Sequence, residues 1–356
     1  MRIAFDVSPL SHPATGVGNY IRGTLGGMIE AADGQHELVA FAPTSLRGPA
    51  RISEALAGLD VELRTWPLPA SHALRTAWSM VGHPAAERFL GAFDVLHFTD
   101  WMYPPQRAGV RATTIHDLVP VRFPEWTTKR TQAMHGRKYA NAARTCNVIF
   151  VNSEFTAAET TELLGVAPER IRIAPPGVKG VFTATGRAAE LGAPYILTVA
   201  TLEPRKNLQA LADAHRLLGG DILLAVAGGE GWGEQPELND PRVRRLGFVT
   251  DEELAGLYRG AAVAVYPSRF EGFGMPIVEG MACGTAVVAS SHASMDEAAG
   301  DVAVRADPED PAAIAAAIER AIAERDRLIP LGIAHASRFT WRAAGEAMLA
   351  GYEAAR

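Results

Sequence analysis

Only two cysteines occur in the 356-residue sequence, Cys146 and Cys283, and both lie in or beside apolar segments. A disulfide framework and a cysteine-based zinc site are thereby excluded, and the pair reads as reduced core residues of a cytosolic protein. No apolar run is long enough to span a bilayer. MRIAFDVS reads as a strand ahead of Pro9, not as a basic region leading into an apolar one, so no leader is expected and the protein is placed in the cytoplasm. A strong charge of one sign is also missing. The formal net charge is −6 with 21% charged residues, which is unlike a general nucleic-acid binder, and no nucleic-acid partner is expected. The imbalance is local: residues 1–150 carry 15 Lys+Arg against 12 Asp+Glu, the remainder 19 against 28, and residues 101–150 alone 8 against 2. One cationic face is compatible with that distribution.

What is present is length enough for two domains with full cores, and one stretch that organises the rest, PSRFEGFGMPIVEGMACGTAVV at 267–288. Residues 269–274 predict a loop, because Gly272 and Gly274 break regular structure and let backbone approach a ligand. Pro276 falls where a helix begins, Cys283 and Gly284 close that helix, and 285–289 predict a buried strand. Amides around Gly274 and Met275 are then free to meet an anion, aided by about half a positive charge from the helix dipole. Glu271 lies in the loop and Glu279 in the expected first turn. Ionised carboxylates accept from paired hydroxyls, so the arrangement suits a nucleoside diphosphate sugar. Taken by itself the stretch also fits a capped core helix with two surface glutamates.

Glu271 and Glu279, separated by seven residues within EGFGMPIVEGMACGT, resemble the signature of retaining glycosyltransferases of GT-B architecture, specifically the fourth sequence family. The resemblance runs from the first strand to the C-terminus. It implies that Glu279 binds the ribose hydroxyls, that Glu271 binds the transferred sugar, and that backbone at Gly272, Phe273, Gly274 and Met275 holds the diphosphate. It also implies metal-independent chemistry, and the sequence has no Asp-x-Asp, the metal-chelating pair of the other large glycosyltransferase fold. No cofactor and no metal are expected, with the nucleotide sugar as co-substrate.

Along the chain, 2–7 predict a strand, 8–18 a loop ending TGVGNY, and a helix follows from about Asn19. Gly16 and Gly18 are there, but the third glycine of a dinucleotide fingerprint is missing. The resemblance makes this the acceptor-side loop, with Gly16 and Gly18 facing the donor phosphates across a cleft. Strands are expected at 37–41, 61–66, 95–98, 112–115, 147–152 and 170–174, with 67–90 read as loop plus short helices near the acceptor cleft. His116 ends an apolar strand in TTIHDLVP, where doubly wound folds put ligands, and the resemblance makes it a contact of the donor sugar. His97, ending VLHF, is a second cleft candidate. Residues 122–144 set Lys129, Arg130, Arg137, Lys138 and Arg144 among aromatic and apolar residues; this is either a solvated helix face or a surface for anionic lipid or a phosphorylated acceptor.

The second half opens with a strand at 195–200 and then TLEPRKNL. By resemblance Arg205 and Lys206 neutralise the diphosphate in place of a metal. Many relatives carry a further arginine after a glycine earlier in this turn; here those places hold Ala200 and Thr201, so Arg205 is expected to cover for the missing charge. A strand at 221–227 leads to GGEGWG, and the backbone of 247–249, with Phe248 and Val249, is expected to meet the nucleobase. Residues 291–301 resemble another family segment, with Glu297 at its acidic position. Two C-terminal helices are expected, broken at 339–341, with Trp341 anchoring the last onto the first domain.

The expected architecture is α/β GT-B: an acceptor-binding Rossmann-like domain over 1–176, a nucleotide-sugar-binding one over 177–338, and a helix at 339–356 that crosses back. The expected reaction is transfer of a hexose with retention to a glycan, lipid-linked or small-molecule hydroxyl; relatives with EPRKN-like turns often use GDP-mannose. A sugar-nucleotide epimerase or hydrolase, or a catalytically silent binding protein, competes with this reading. Peripheral membrane contact through 122–144 is the further expectation.

Overall fold

The structure is a computed structural model that describes residues 1–12, 15–99, 101–231, 233 and 236–356. Trp232 of the expected glycine loop, and Pro13 and Ala14 of the loop before the first helix, lie outside the described residues. The chain divides into two compact units, Met1–Gly177 together with Thr340–Arg356, and Val178–Phe339.

In the first unit the strands are β1 (Arg2–Asp6), β2 (Glu37–Thr44), β3 (Glu62–Pro67), β4 (Val95–Phe98), β5 (Val110–Ile115), β6 (Val148–Val151) and β7 (Ile171–Ile173). They form one sheet in the order β3-β2-β1-β4-β5-β6-β7, and every pairing is parallel. The second unit contains β8 (Tyr195–Val199), β9 (Leu223–Ala227), β10 (Val243–Gly247), β11 (Val263–Tyr266), β12 (Val287–Ser290) and β13 (Val304–Ala306). Their order is β10-β9-β8-β11-β12-β13, again all parallel. Parallel strands read as unbroken apolar runs because helices cover both faces. In β8, accordingly, Leu197 enters one core and Ile196 the other. The edge strand β10 is different: its two arginines are exposed, which discourages pairing with another sheet.

Several expectations need correction. The first helix spans Gly16–Ala32, so Gly16 and Gly18 are its first turn, not the loop before it. Thr15 is the reason: its side chain caps the helix by accepting from the Gly18 amide at 3.1 Å. Residues 67–90 need no such correction: they hold loop and two short helices, Ser71–Val81 and Glu87–Leu90, as expected. Three helices, not two, follow β13: Pro311–Ala323, Arg325–Ala336 and Trp341–Ala354. No expectation covered β13 itself, which is only three residues long.

The last helix packs on the first within the first unit. A Cβ on Gly27 would lie 1.8 Å from the Trp341 carbonyl oxygen, and one on Gly345 would lie 2.2 Å from the Gly27 carbonyl carbon. Only glycine admits two helices this close. Trp341 lies over Gly23 and meets Tyr20 edge-on at 6.0 Å. Both cysteines are free and buried. Among the described residues no helix is long and apolar enough to cross a membrane.

Candidate active site

The order of the second sheet reverses between β8 and β11, which are adjacent. At such a switch point the two following loops diverge and leave a crevice at the strands' carboxyl ends. The loop after β8 carries Arg205 and Lys206 in a tight turn, Pro204–Lys206. The loop after β11 carries Glu271. Asn207 joins them: in the left-handed conformation at φ 56°, it donates through Nδ2 to Pro267 O at 3.2 Å and Pro308 O at 2.6 Å. The Arg269 amide adds a bond to Arg205 O at 2.9 Å.

These loops bring three of the expected residues together. Arg205 Nη1 donates to Glu271 Oε2 at 2.7 Å, and Lys206 Nζ donates to Glu271 Oε1 at 2.7 Å. Tyr266, the last residue of β11, accepts from Lys206 Nζ at 2.7 Å and donates to Glu271 Oε1 at 3.0 Å. Ser268 Oγ also donates to Oε1. The Glu271 amide donates to Ser294 Oγ at 3.0 Å. Glu271 is 7% exposed. Burial alone pushes its carboxyl up, but the charges of Arg205 and Lys206, with hydrogen bonds from Lys206 and Ser268, bring it down to about 2. Burial lowers the Lys206 ammonium from its ordinary range, and Glu271 opposes that. A second carboxylate, the buried Glu203, lies 3.6 Å from Arg205. The cluster is a closed ion-pair network, and Glu271 is committed to protein groups before any ligand arrives.

The helix Met275–Ala282 starts beside it, with Gly274 as N-cap at φ 100° and Pro276 in its first turn. The positive φ favours glycine at 274, and a Cβ there would also crowd Ile277 Cδ1 at 3.0 Å. Glu279 is the fifth helical residue, one position past the turn in which it was expected, so the full helix-dipole benefit is not available to it. Burial pushes its carboxyl up to about 7, with Lys179 opposing and Asp251 adding to the rise. Gly272 and Phe273 are buried; the Phe273 ring packs edge-on against Phe339 at 5.2 Å, so only its backbone is available to a ligand. Met275 and Val249 are half-buried. Phe248 is 73% exposed, directly after the left-handed Gly247. Glu297 lies in the short helix Asp296–Ala299 and is half-buried.

In the first unit, His116 follows β5 half-buried, 3.4 Å from Asn152 Nδ2 and edge-on to Tyr20 at 4.8 Å. Burial, then the nearby Lys138 charge, lowers its imidazole to about 3, so it is neutral near pH 7. His97 is a core residue, not a cleft residue: it is fully buried, stacked on Phe5 at 4.6 Å, and bonded to Thr114 Oγ1 and Tyr352 OH. Lys138 likewise leaves the expected basic face. It is 2% exposed and donates to Thr114 O at 2.6 Å. Gly16 is exposed, whereas Gly18 is buried with its amide already engaged by Thr15.

Tyr266, Ser268, Ser294, Asn207 and Glu203 escaped the sequence reading. Ser268 carried a usable signal, three residues before Glu271 in a loop, whereas the contacts of Ser294 and Asn207 arise from other loops. Among the described residues no group of three or more His, Cys, Asp or Glu is placed to hold a metal ion.

Two doubly wound parallel sheets are the architecture of the GT-B fold. Residues 14–179 match the family described as Glycosyltransferase Family 4, and residues 193–324 match Glycosyl transferases group 1. The O-antigen chain mannosyltransferase B of Escherichia coli is 28% identical over 96% of this chain and 96% of its own length. A D-inositol 3-phosphate glycosyltransferase of Acidothermus cellulolyticus is 30% identical over 75% of this chain and 68% of its own. Among solved structures, sucrose-phosphate synthase from Thermosynechococcus elongatus aligns with a TM-score of 0.73 at 20% identity, covering 99% of this chain and 98% of that one. The chain belongs to the group 1, family 4 glycosyltransferases and is a hexosyltransferase.

Proposed function

We propose that this enzyme transfers a hexose, mannose from GDP-mannose in the first instance, to a hydroxyl of a glycan, glycolipid or small-molecule acceptor, with retention and without a metal. The observation that carries the proposal is the Arg205–Lys206–Glu271 cluster at the β8/β11 switch point beside the Gly274 helix terminus. The diphosphate replaces Glu271 as the partner of the two cations. The Glu271 carboxylate, held low by its surroundings, is then available to a sugar hydroxyl. Lys206, Arg205 and the helix amides stabilise the negative charge that develops as the bond from the anomeric carbon to the diphosphate breaks. The acceptor oxygen bonds to that carbon from the same face, and its proton passes to the departing phosphate oxygen. Glu279 serves the ribose, and Phe248 with the adjacent backbone serves the base. Mannose rests on the similarity to the Escherichia coli O-antigen chain mannosyltransferase.

Product analysis by mass spectrometry and NMR, with a panel of nucleotide sugars in EDTA, tests this reading. Transfer to an acceptor with unchanged anomeric configuration is expected. Consumption of donor without acceptor points to an epimerase or hydrolase, and collapse of turnover restored by Mg²⁺ or Mn²⁺ overturns the metal-free mechanism.

A further inference from the structure

Glu271 is held by neutral groups as well as by its two cations, and its two carboxylate oxygens are served differently. Oε1 accepts from Lys206 Nζ, from the Tyr266 hydroxyl at 3.0 Å and from Ser268 Oγ, whereas among the described residues Oε2 accepts from Arg205 Nη1 alone. When a diphosphate takes both cations, Oε1 therefore keeps two hydroxyl donors and Oε2 is left open. The backbone of the same residue is fixed from another loop. The Glu271 amide donates to Ser294 Oγ at 3.0 Å. Ser294 is buried, in the turn Ala293–Met295 that the His292 side chain caps.

Hydrogen-bond chemistry sets the direction of each bond in that second loop. The Ser294 amide can only donate, and it lies 3.2 Å from His292 Nδ1, so Nδ1 is an acceptor and the ring proton is on Nε2. Ser294 Oγ, 2.9 Å from the same nitrogen, donates its proton there and keeps its lone pairs for the Glu271 amide. The chain of donors thus runs from Glu271 N through Ser294 Oγ to His292 Nδ1. The His292 ring also lies 5.6 Å from that of Phe270, the buried residue before Glu271. We infer that Ser268, at the carboxylate, and the His292–Ser294 pair, at the amide, are positioning residues that keep Glu271 in place once its cations have passed to the diphosphate, with Oε2 the oxygen presented to the sugar. A group that loses two ionic partners on loading holds its geometry only if other bonds fix it. The inference rests on the proposed sugar-binding role of Glu271 and assigns no substrate contact to Ser268, His292 or Ser294.

The test compares Ser268→Ala, His292→Ala and His292→Asn with Glu271→Ala and wild type. Turnover is measured with saturating GDP-mannose and UDP-glucose, binding by calorimetry with free GDP and UDP, and folding by circular dichroism. Ser268→Ala and His292→Ala should each lower kcat about tenfold, the scale of one hydrogen bond to a charged group. Both should bind the free nucleotides as tightly as wild type or more tightly, because Arg205 and Lys206 are intact. His292→Asn should restore most of the lost turnover, since an amide oxygen can accept from the Ser294 amide and hydroxyl as Nδ1 does. Ser268→Ala removes a single oxygen and carries the test should His292→Ala fold poorly. A slow Glu271→Ala beside wild-type turnover in Ser268→Ala and His292→Ala would overturn the inference and leave the donor-site reading standing. Wild-type turnover in Glu271→Ala would overturn both. Equal losses of turnover and nucleotide affinity in Ser268→Ala or His292→Ala would also overturn the inference, by making these residues general supports of the loop.

Discussion

Lys206 Nζ and Glu271 Oε1 lie 2.7 Å apart, and the other oxygen of the same carboxylate lies 2.7 Å from Arg205 Nη1. In the unliganded site, the proposed sugar-binding group is therefore the counter-ion of the proposed phosphate-binding groups. A nucleoside diphosphate must compete with Glu271 for them.

Replacing that counter-ion by a neutral group of the same shape separates the two roles. In Glu271→Gln, calorimetry should show affinity for the free nucleoside diphosphate equal to or greater than wild type, because no anion has to be displaced. Turnover of the nucleotide sugar should fall at the same time, because the ionised group for the sugar is gone. A clear loss of diphosphate affinity would mean that Glu271 assists phosphate binding and does not compete with it.

Glu279 provides a pH signature. With its carboxyl raised to about 7 from the ordinary 4.5, burial keeps it protonated up to near neutrality. Wild-type affinity for an intact nucleotide sugar, whose own phosphates do not titrate in this range, should strengthen between pH 6 and pH 8 as the carboxylate forms. Glu279→Gln should bind more weakly and show no such slope. Parallel slopes in the two proteins would remove Glu279 from the ribose contact.

The neutral histidine at the end of β5 makes the first unit acid-sensitive. The folded value for His116 is about 3, below the ordinary 6.5. Between those values the unfolded chain binds a proton that the folded chain refuses, so stability is undiminished above the ordinary value and declines as pH falls through the interval. Urea midpoints should therefore drop less between pH 7 and pH 5 in His116→Asn than in wild type. Superimposable pH dependences would show that His116 protonates without cost.

The close crossing of the first and last helices predicts a backbone effect from one methyl group. Gly27→Ala places a carbon against the Trp341 carbonyl, which a side-chain rotation cannot relieve. The expected destabilisation is about 1–3 kcal/mol, as for other overpacked interiors, read from chemical denaturation. A midpoint equal to wild type would show that the helices part without penalty.

What the sequence disclosed follows from where the information resides. Strands buried on both faces, such as Tyr195–Val199 and Val263–Tyr266, are continuous apolar runs and can be read directly. So can a helix announced by Gly274 and Pro276. Glu271, Lys206 and Arg205 stand out through the family resemblance of EGFGMPIVEGMACGT and TLEPRKNL, since surface charge is an equally good local reading of each stretch, and the structure places the three in contact. The Gly16 helix start was missed because a threonine cap outweighed two glycines. Lys138 reads as part of the basic face, solvated or anion-binding, because it stands beside Arg137 in a cation-rich segment; its burial depends on the carbonyl of Thr114 on another element. His97 reads as a second cleft candidate from its place near a strand end, yet Tyr352, 255 residues away, makes it part of the core. Long-range partners of this kind leave no local pattern.

The most direct test of the donor-site assignment is the turnover of Lys206→Ala at saturating nucleotide sugar. Removing one preorganised cation from a departing diphosphate should slow turnover by roughly 100-fold or more, while Glu271 remains paired with Arg205 and the fold is kept. A rate near wild type would contradict the account, because the β8/β11 cluster would then be a structural ion pair and the diphosphate would be held elsewhere.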